Sequence, residues 1–350
     1  MEVNAMSKTK AILFALLAAV FYAINVPISK LLLRSVAPTA MAAFLYLGAG
    51  LGVGILSFIN KSGRESSERI SKSDLPYVIG MIALDIAAPI LLMLGISRGT
   101  SANASLLGNF EIVAATVIAL AVFKEAVSKR LWLAIALITL SSLLLSFAGA
   151  DSFKFSYGSL FVLLAAVCWG FENNCTRMIS SKSTYEIVIF KGIFSGLGSL
   201  GIAFIIGEAM PTVAHIALAL LLGFVAYGLS IFLYVRAQSA LGAARTSAYY
   251  AAAPFVGAFL SFVMLNERLS WLYLAALSVM IAGSLIIAAD TLARRHTHPH
   301  RHTLTHTHDG TTHTHTVTHA HEHGHYLTDQ RHGHRHTAAE LSQLPEAAHL

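Results

Sequence analysis

Charge is scarce in this chain. Asp, Glu, Lys and Arg together make up 12% of the 350 residues, about half the share of an average soluble domain, which excludes a surface bathed mostly in water. Cysteine is nearly absent: Cys168 and Cys175 are the two present, both inside one apolar stretch, so no disulfide framework is implied. The motifs of the common hydrolases and nucleotide enzymes are missing as well, with no H-E-x-x-H, no phosphate-binding glycine loop and no nucleophile–base pair. This pattern predicts a protein that is not an enzyme and that requires no cofactor. The net charge of +6 comes from Lys and Arg scattered singly between apolar runs, without the basic stripe that binds nucleic acid.

What the chain has in abundance is hydrophobic length. Hydrophobic residues make up 55% of it, in runs that recur from Ala11 to Ala289. Crossing a bilayer takes about 20 apolar residues in helix, because lipid offers an open backbone no hydrogen bonds. Ten such runs predict ten spans: 11–33, 37–60, 75–97, 101–123, 131–149, 158–179, 185–206, 213–236, 244–264 and 271–290. The fold class expected is all-α integral membrane, with lipid as an obligatory partner. Short loops leave no room for a soluble domain before residue 291. Fifteen Lys and Arg fall on the side of the termini, against Lys30, Arg34, Arg98, Lys154 and Arg268 on the other. That bias predicts a multi-pass protein of the inner or plasma membrane with both termini cytoplasmic.

An internal repeat divides the spans. Leu16-Leu17-Ala18-Ala19-Val20 recurs as Leu163-Leu164-Ala165-Ala166-Val167, and the fourth span of each half opens on small residues and closes on an acid followed three positions later by serine, Glu125 with Ser128 and Glu267 with Ser270. Five spans per half is an odd number, so the second half enters from the opposite side, the inverted plan of many secondary transporters. The expected units are 1–149 and 150–290, followed by a tail at 291–350. With these half-repeats and the segment Leu265-Asn266-Glu267-Arg268-Leu269-Ser270, the chain resembles the EamA-type transporters of the drug/metabolite transporter superfamily over residues 11–290. The resemblance implies an inverted-repeat fold with a cavity near the midplane, alternating access, and small metabolites as cargo, often exported. One departure stands out: Asn109-Phe110-Glu111-Ile112 occupies the place of Ala253-Pro254, an acid in place of a proline.

Ionisable residues at membrane depth mark function, because a carboxylate at a helix centre costs roughly 2.5–3.5 kcal/mol on insertion scales. Asp85, Glu111 and Glu172 are such residues, read either as converging on a cation or proton site or as acids satisfied by polar neighbours. Lys191, about two turns into the seventh span, either snorkels to the surface or pairs with an acid. Asn25, Asn109 and Asn173 are candidates for orienting a solute, with Asn103 and Asn174, although amides also join helices. Pro27, Pro89 and Pro254 are expected to bend their spans, and His215 to sit at an interface. Cys168, Glu172 and Cys175 form one stripe of a helix, a metal-relay stripe if another helix supplies further ligands.

The tail carries all but His215 of the 17 histidines. Most alternate with other residues as H-x-H: His296, His298, His300, His302, His306, His308, His313, His315, His319, His321, His323, His325, His332, His334 and His336. With no apolar periodicity, the segment is expected to be disordered without ligand. Its composition is that of a tract binding Zn, Ni, Co or Cu. Two functions follow as expectations: a secondary transporter exporting a small metabolite, cationic on one reading, with a metal-binding regulatory tail, or a transporter of a divalent transition metal or its complex.

Overall fold

The computed structural model describes residues 7–59, 70–123, 128–147, 156–179, 182–241, 246, 249–267, 270–308 and 311–326. The chain divides into a unit of residues 1–288 and a unit of residues 289–350. The first consists of helices joined by short turns among its described residues, and helices lie in each of the ten expected spans. They run α1 (Lys8–Ala23) with α2 (Asn25–Leu32), α3 (Pro38–Ile59), α4 (Leu75–Arg98), α5 (Ser101–Leu107) with α6 (Phe110–Phe123), α7 (Lys129–Ser146), and α8 (Tyr157–Met178). The seventh joins α9 (Thr184–Phe190) and α10 (Gly196–Ile205) through a π-helical turn, Lys191–Ser195. The eighth joins α11 (Val213–Gly223) and α12 (Ser230–Leu241) through another, Phe224–Leu229; α13 (Ala253–Leu265) and α14 (Trp271–Leu292) follow. Eight spans are long and apolar enough to cross a membrane; the ninth keeps a shorter apolar helix, Ala253–Leu265. The sixth, α8, is 22 residues long and carries Glu172, Asn173, Asn174 and Arg177 within its apolar sequence.

Packing follows the inverted repeat. The first helix of the first half, α1, lies against α12 in the third span of the second half; α8, which opens the second half, lies against α4, the third span of the first. Lipid tails are as apolar as the helices, so close approach at small residues holds such pairs together. A Cβ on Gly192 would stand 2.4 Å from Gly50 Cα, and one on Gly158 would stand 2.7 Å from Gly99 N. The first contact presses the π turn at Lys191 onto α3, and the second presses α8 onto α4. Large apolar side chains such as Leu13, Phe58, Ile205, Val213 and Trp271 are exposed on the outside, where hydrocarbon covers them.

In the second unit the described backbone is extended. Residues Ala293–His308 and Thr311–Tyr326 pair as two antiparallel strands. The physical reason lies in the same alternation read above as a metal tract: His alternating with β-branched Thr has the two-residue period of a strand.

Candidate functional site

The spans break where the polar residues lie. Ile24 separates α1 from α2 next to Asn25, Gly108 and Asn109 separate α5 from α6 next to Glu111, and a turn at Ala251 and Ala252 precedes α13 next to Tyr250. The two π turns carry Lys191 and Tyr227. Pro89 sits inside α4, where its missing N–H leaves the Asp85 carbonyl without its helical partner. Discontinuous helices at membrane depth are tolerated where they line a cavity or are buried in protein.

At the centre, Lys191 Nζ donates to Glu172 Oε1 at 2.8 Å and stands 3.3 Å from Asp85 Oδ2. The Asp85 and Glu172 side chains are 0% and 2% exposed, whereas that of Lys191 keeps 24%, so the two carboxylates are the more deeply buried members of the group. Of its two possible uses, the lysine takes the ion pair. Tyr46 Oη donates to Asp85 Oδ1 at 3.0 Å, and Trp169 Nε1 donates to Tyr46 Oη at 3.3 Å. Thr176 Oγ1 donates to Glu172 Oε1.

Glu111 lies beside this group with a different partner. Its Oε1 accepts from Asn173 Nδ2 at 2.6 Å. Tyr46, which holds Asp85, begins a run of tyrosine rings with Tyr227, Tyr22 and Tyr250. Those rings form a wall: Tyr22 meets Tyr227 edge-on at 5.9 Å, Tyr22 meets Tyr250 at 5.7 Å, and Tyr46 meets Tyr227 at 5.6 Å between centroids. Asn25 Nδ2 donates to Tyr227 Oη at 2.9 Å while its Oδ1 accepts from Ser29 at 3.1 Å. Two carboxylates thus share one ammonium while a third is held by an amide, and with all four groups ionised two negative charges remain.

Asp85, Glu172 and Lys191 come together, Glu111 and Asn173 pair next to them, and Asn25 enters through the tyrosines. Asn109 is buried, its Nδ2 without a hydrogen-bond partner among the described residues. Asn103 and Asn174 do helix-joining work, donating to Leu145 O and to Ala115 O. His215 accompanies the N-terminal turn of α11, its Nδ1 2.8 Å from Thr212 Oγ1. The cysteine stripe is not assembled into a ligand set. Cys168 packs against the main apolar core and Cys175 against the Val78, Met81 and Ile179 cluster. Among the described residues no group of three His, Cys, Asp or Glu side chains is arranged to hold a metal ion. An apolar recess of about 400 Å³ between α3 and α9, lined by Gly54, Ile55, Phe58 and Ile189 among others, shares no residue with the polar cluster. The tyrosine wall is absent from the sequence reading, yet a signal for it exists: Tyr concentrates at membrane interfaces, whereas Tyr22, Tyr46 and Tyr227 lie well inside their spans.

The family motif has a structural task. Glu267 accepts from the backbone N–H groups of Ser101 at 2.7 Å and Ala102 at 2.9 Å, closing the N-terminus of α5. Glu208 does the same for Thr39 and Ala40 at the start of α3. Compared with known families, the chain matches the model of the EamA-like transporter family twice, over residues 9–147 and 156–289. The chain belongs to the EamA-like transporter family. A curated relative, an uncharacterized transporter of Methanothermobacter thermautotrophicus, is 26% identical over 290 residues, spanning 77% of this chain and 83% of the relative. The EamA-like unit also has a match among solved proteins, a crystal structure superposing with a TM-score of 0.59 at 15% identity, over 80% of this chain and 96% of that one. This likeness concerns the fold. The chain is a multi-pass membrane transporter.

Proposed function

We propose that this EamA-like protein is a secondary transporter exporting a small organic cation by alternating access, with protons as the exchanged ion. The observation that carries the reading is the charge balance of a cluster walled by tyrosines. Two negative charges in excess are costly at membrane depth, and a cationic cargo or a pair of protons removes that cost. The aromatic faces suit an ammonium group, which gains roughly 0.5–2 kcal/mol over a Tyr ring depending on its desolvation. Glu111, paired with an amide instead of a cation, is the residue that meets the cargo. Asp85, already held by Tyr46 and Lys191, is the second proton acceptor. Lys and Arg bias sets both termini in the cytoplasm of a cell membrane, which gives the tail access to cytoplasmic metal as a regulatory segment.

The alternative cargo, a divalent transition metal, is favoured by the histidine tail. Against it stands the composition of the cluster: one primary ammonium, tyrosines, and no ligand triad among the described residues. Proteoliposomes with an imposed pH gradient separate the two. Accumulation of a labelled organic ammonium compound, abolished by Glu111→Gln, supports the proposal; accumulation of Zn, Ni, Co or Cu by elemental analysis, with the same dependence on Glu111, supports the alternative and sinks the first.

A further inference from the structure

We propose that the recess between α3 and α9 holds one acyl chain of a membrane phospholipid, packed against the turn that carries Lys191. Gly50 and Gly54 stand four residues apart on the same face of α3, the spacing that lets two helices approach closely in a membrane. The first glycine is used in that way and the second is not. A Cβ on Gly50 would stand 2.8 Å from the backbone nitrogen of Ile193, whereas one on Gly54 would meet nothing within 4 Å. From tight contact at Gly50 the two helices therefore diverge. The opening between them is the recess of about 400 Å³, lined by Leu51, Gly54, Ile55, Phe58, Ile189 and Ile193.

The lining decides the occupant. It consists of glycines and hydrocarbon side chains, and a cavity of that kind gives water no partners and stays dry. Unfilled, such a slot forfeits the dispersion contacts of its walls. Leu51, Ile55 and Phe58 continue from the recess onto the exposed outside of the helices, so its mouth opens on the face that hydrocarbon covers elsewhere. At that face acyl chains are the solvent, and a linear chain fills a slot between two helices without needing a second complementary surface. The occupant also reaches the transport machinery from behind. Ile193 belongs to the π turn Lys191–Ser195, two residues from the lysine that pairs with Asp85 and Glu172. An acyl chain on Ile193 packs the outer side of that turn while Gly50 packs against Gly192. The inference is independent of the cargo.

The test reconstitutes the full chain in vesicles of phosphatidylethanolamine and phosphatidylglycerol that contain a phospholipid with a photoactivatable diazirine in mid-chain. Labelled residues are then mapped by mass spectrometry. Gly54→Leu fills the recess from within; Gly201→Leu, on α10, places the same side chain where a Cβ likewise meets nothing within 4 Å and leaves the recess open. The expected result is stronger labelling of Leu51, Ile55, Ile189 and Ile193 than of the exposed Leu13 and Leu285, in the parent and in Gly201→Leu alike. In Gly54→Leu the recess labelling should fall to the level of those two leucines. Recess labelling in the parent no stronger than at Leu13 and Leu285, or undiminished by Gly54→Leu, would overturn the site. So would recess residues that escape the lipid probe but join two copies through a disulfide at Ile55→Cys in a C168A/C175A chain, which would give the face to a second copy.

Discussion

Two sets of carboxylates divide the membrane unit. At one end of the helices, Glu208 and Glu267 each accept two backbone N–H groups at a helix start, where the helix dipole and orphan donors favour negative charge. In the interior, the described partners of Asp85, Glu172 and Glu111 are side chains, those of Lys191, Tyr46, Thr176 and Asn173. The difference is one of exchangeability. A carboxylate on backbone amides has a fixed partner and holds architecture; one on side chains can trade its partner for a proton or a cargo. Depth alone does not mark an acid as functional, and the nature of its donor does.

Substitutions sharpen this contrast because stability and transport should separate. Lys191→Met leaves Asp85 and Glu172 without their shared cation, and thermal unfolding in detergent is expected to show the largest loss, about 3–5 kcal/mol, together with loss of transport. Adding Asp85→Asn to it should recover part of the stability and none of the transport. Glu267→Ala removes two charge-assisted bonds to α5, at about 1.5–3 kcal/mol each at most; the unfolding temperature should fall while the KM of surviving transport stays near that of the parent. Tyr227→Phe deletes the bond from Asn25, about 0.5–1.5 kcal/mol, and its readout is a change in apparent cargo affinity. Glu111→Gln should change stability least, within about 0.5 kcal/mol, yet abolish transport. If Glu267→Ala abolished transport in a fully folded protein while Glu111→Gln spared it, the two sets would have to exchange roles.

Much of this was legible in the chain itself. The ten spans, the inverted halves and the interior acids follow from hydropathy, parity and the cost of charge in lipid, and these are local properties of the sequence. The partners are not local. Glu267 reaches Ser101 across 166 positions, so a segment recognisable as a family mark gave no hint that its acid closes a distant helix. Lys191 stood equally well as a snorkelling residue until the π turn and the Gly50 contact brought it against Asp85 and Glu172. The depth of each tyrosine in its span is a signal of its own, but their meaning comes from convergence, which is not local. In the tail, alternation pointed to metal, yet the same two-residue period is that of a strand.

Trp169 offers the most direct test of the central claim, because its Nε1 donates to Tyr46 within the cluster while Trp132 and Trp271 are exposed on the outside of the helices. In a variant carrying Trp132→Phe and Trp271→Phe, the remaining fluorescence reports on the site. The measurement is its response to a graded panel of organic ammonium compounds, matched organic anions and divalent metal salts, with and without Glu111→Gln. The account predicts a saturable change with ammonium compounds that disappears in Glu111→Gln. A response to anions, or a cation response that survives Glu111→Gln unchanged, would contradict it.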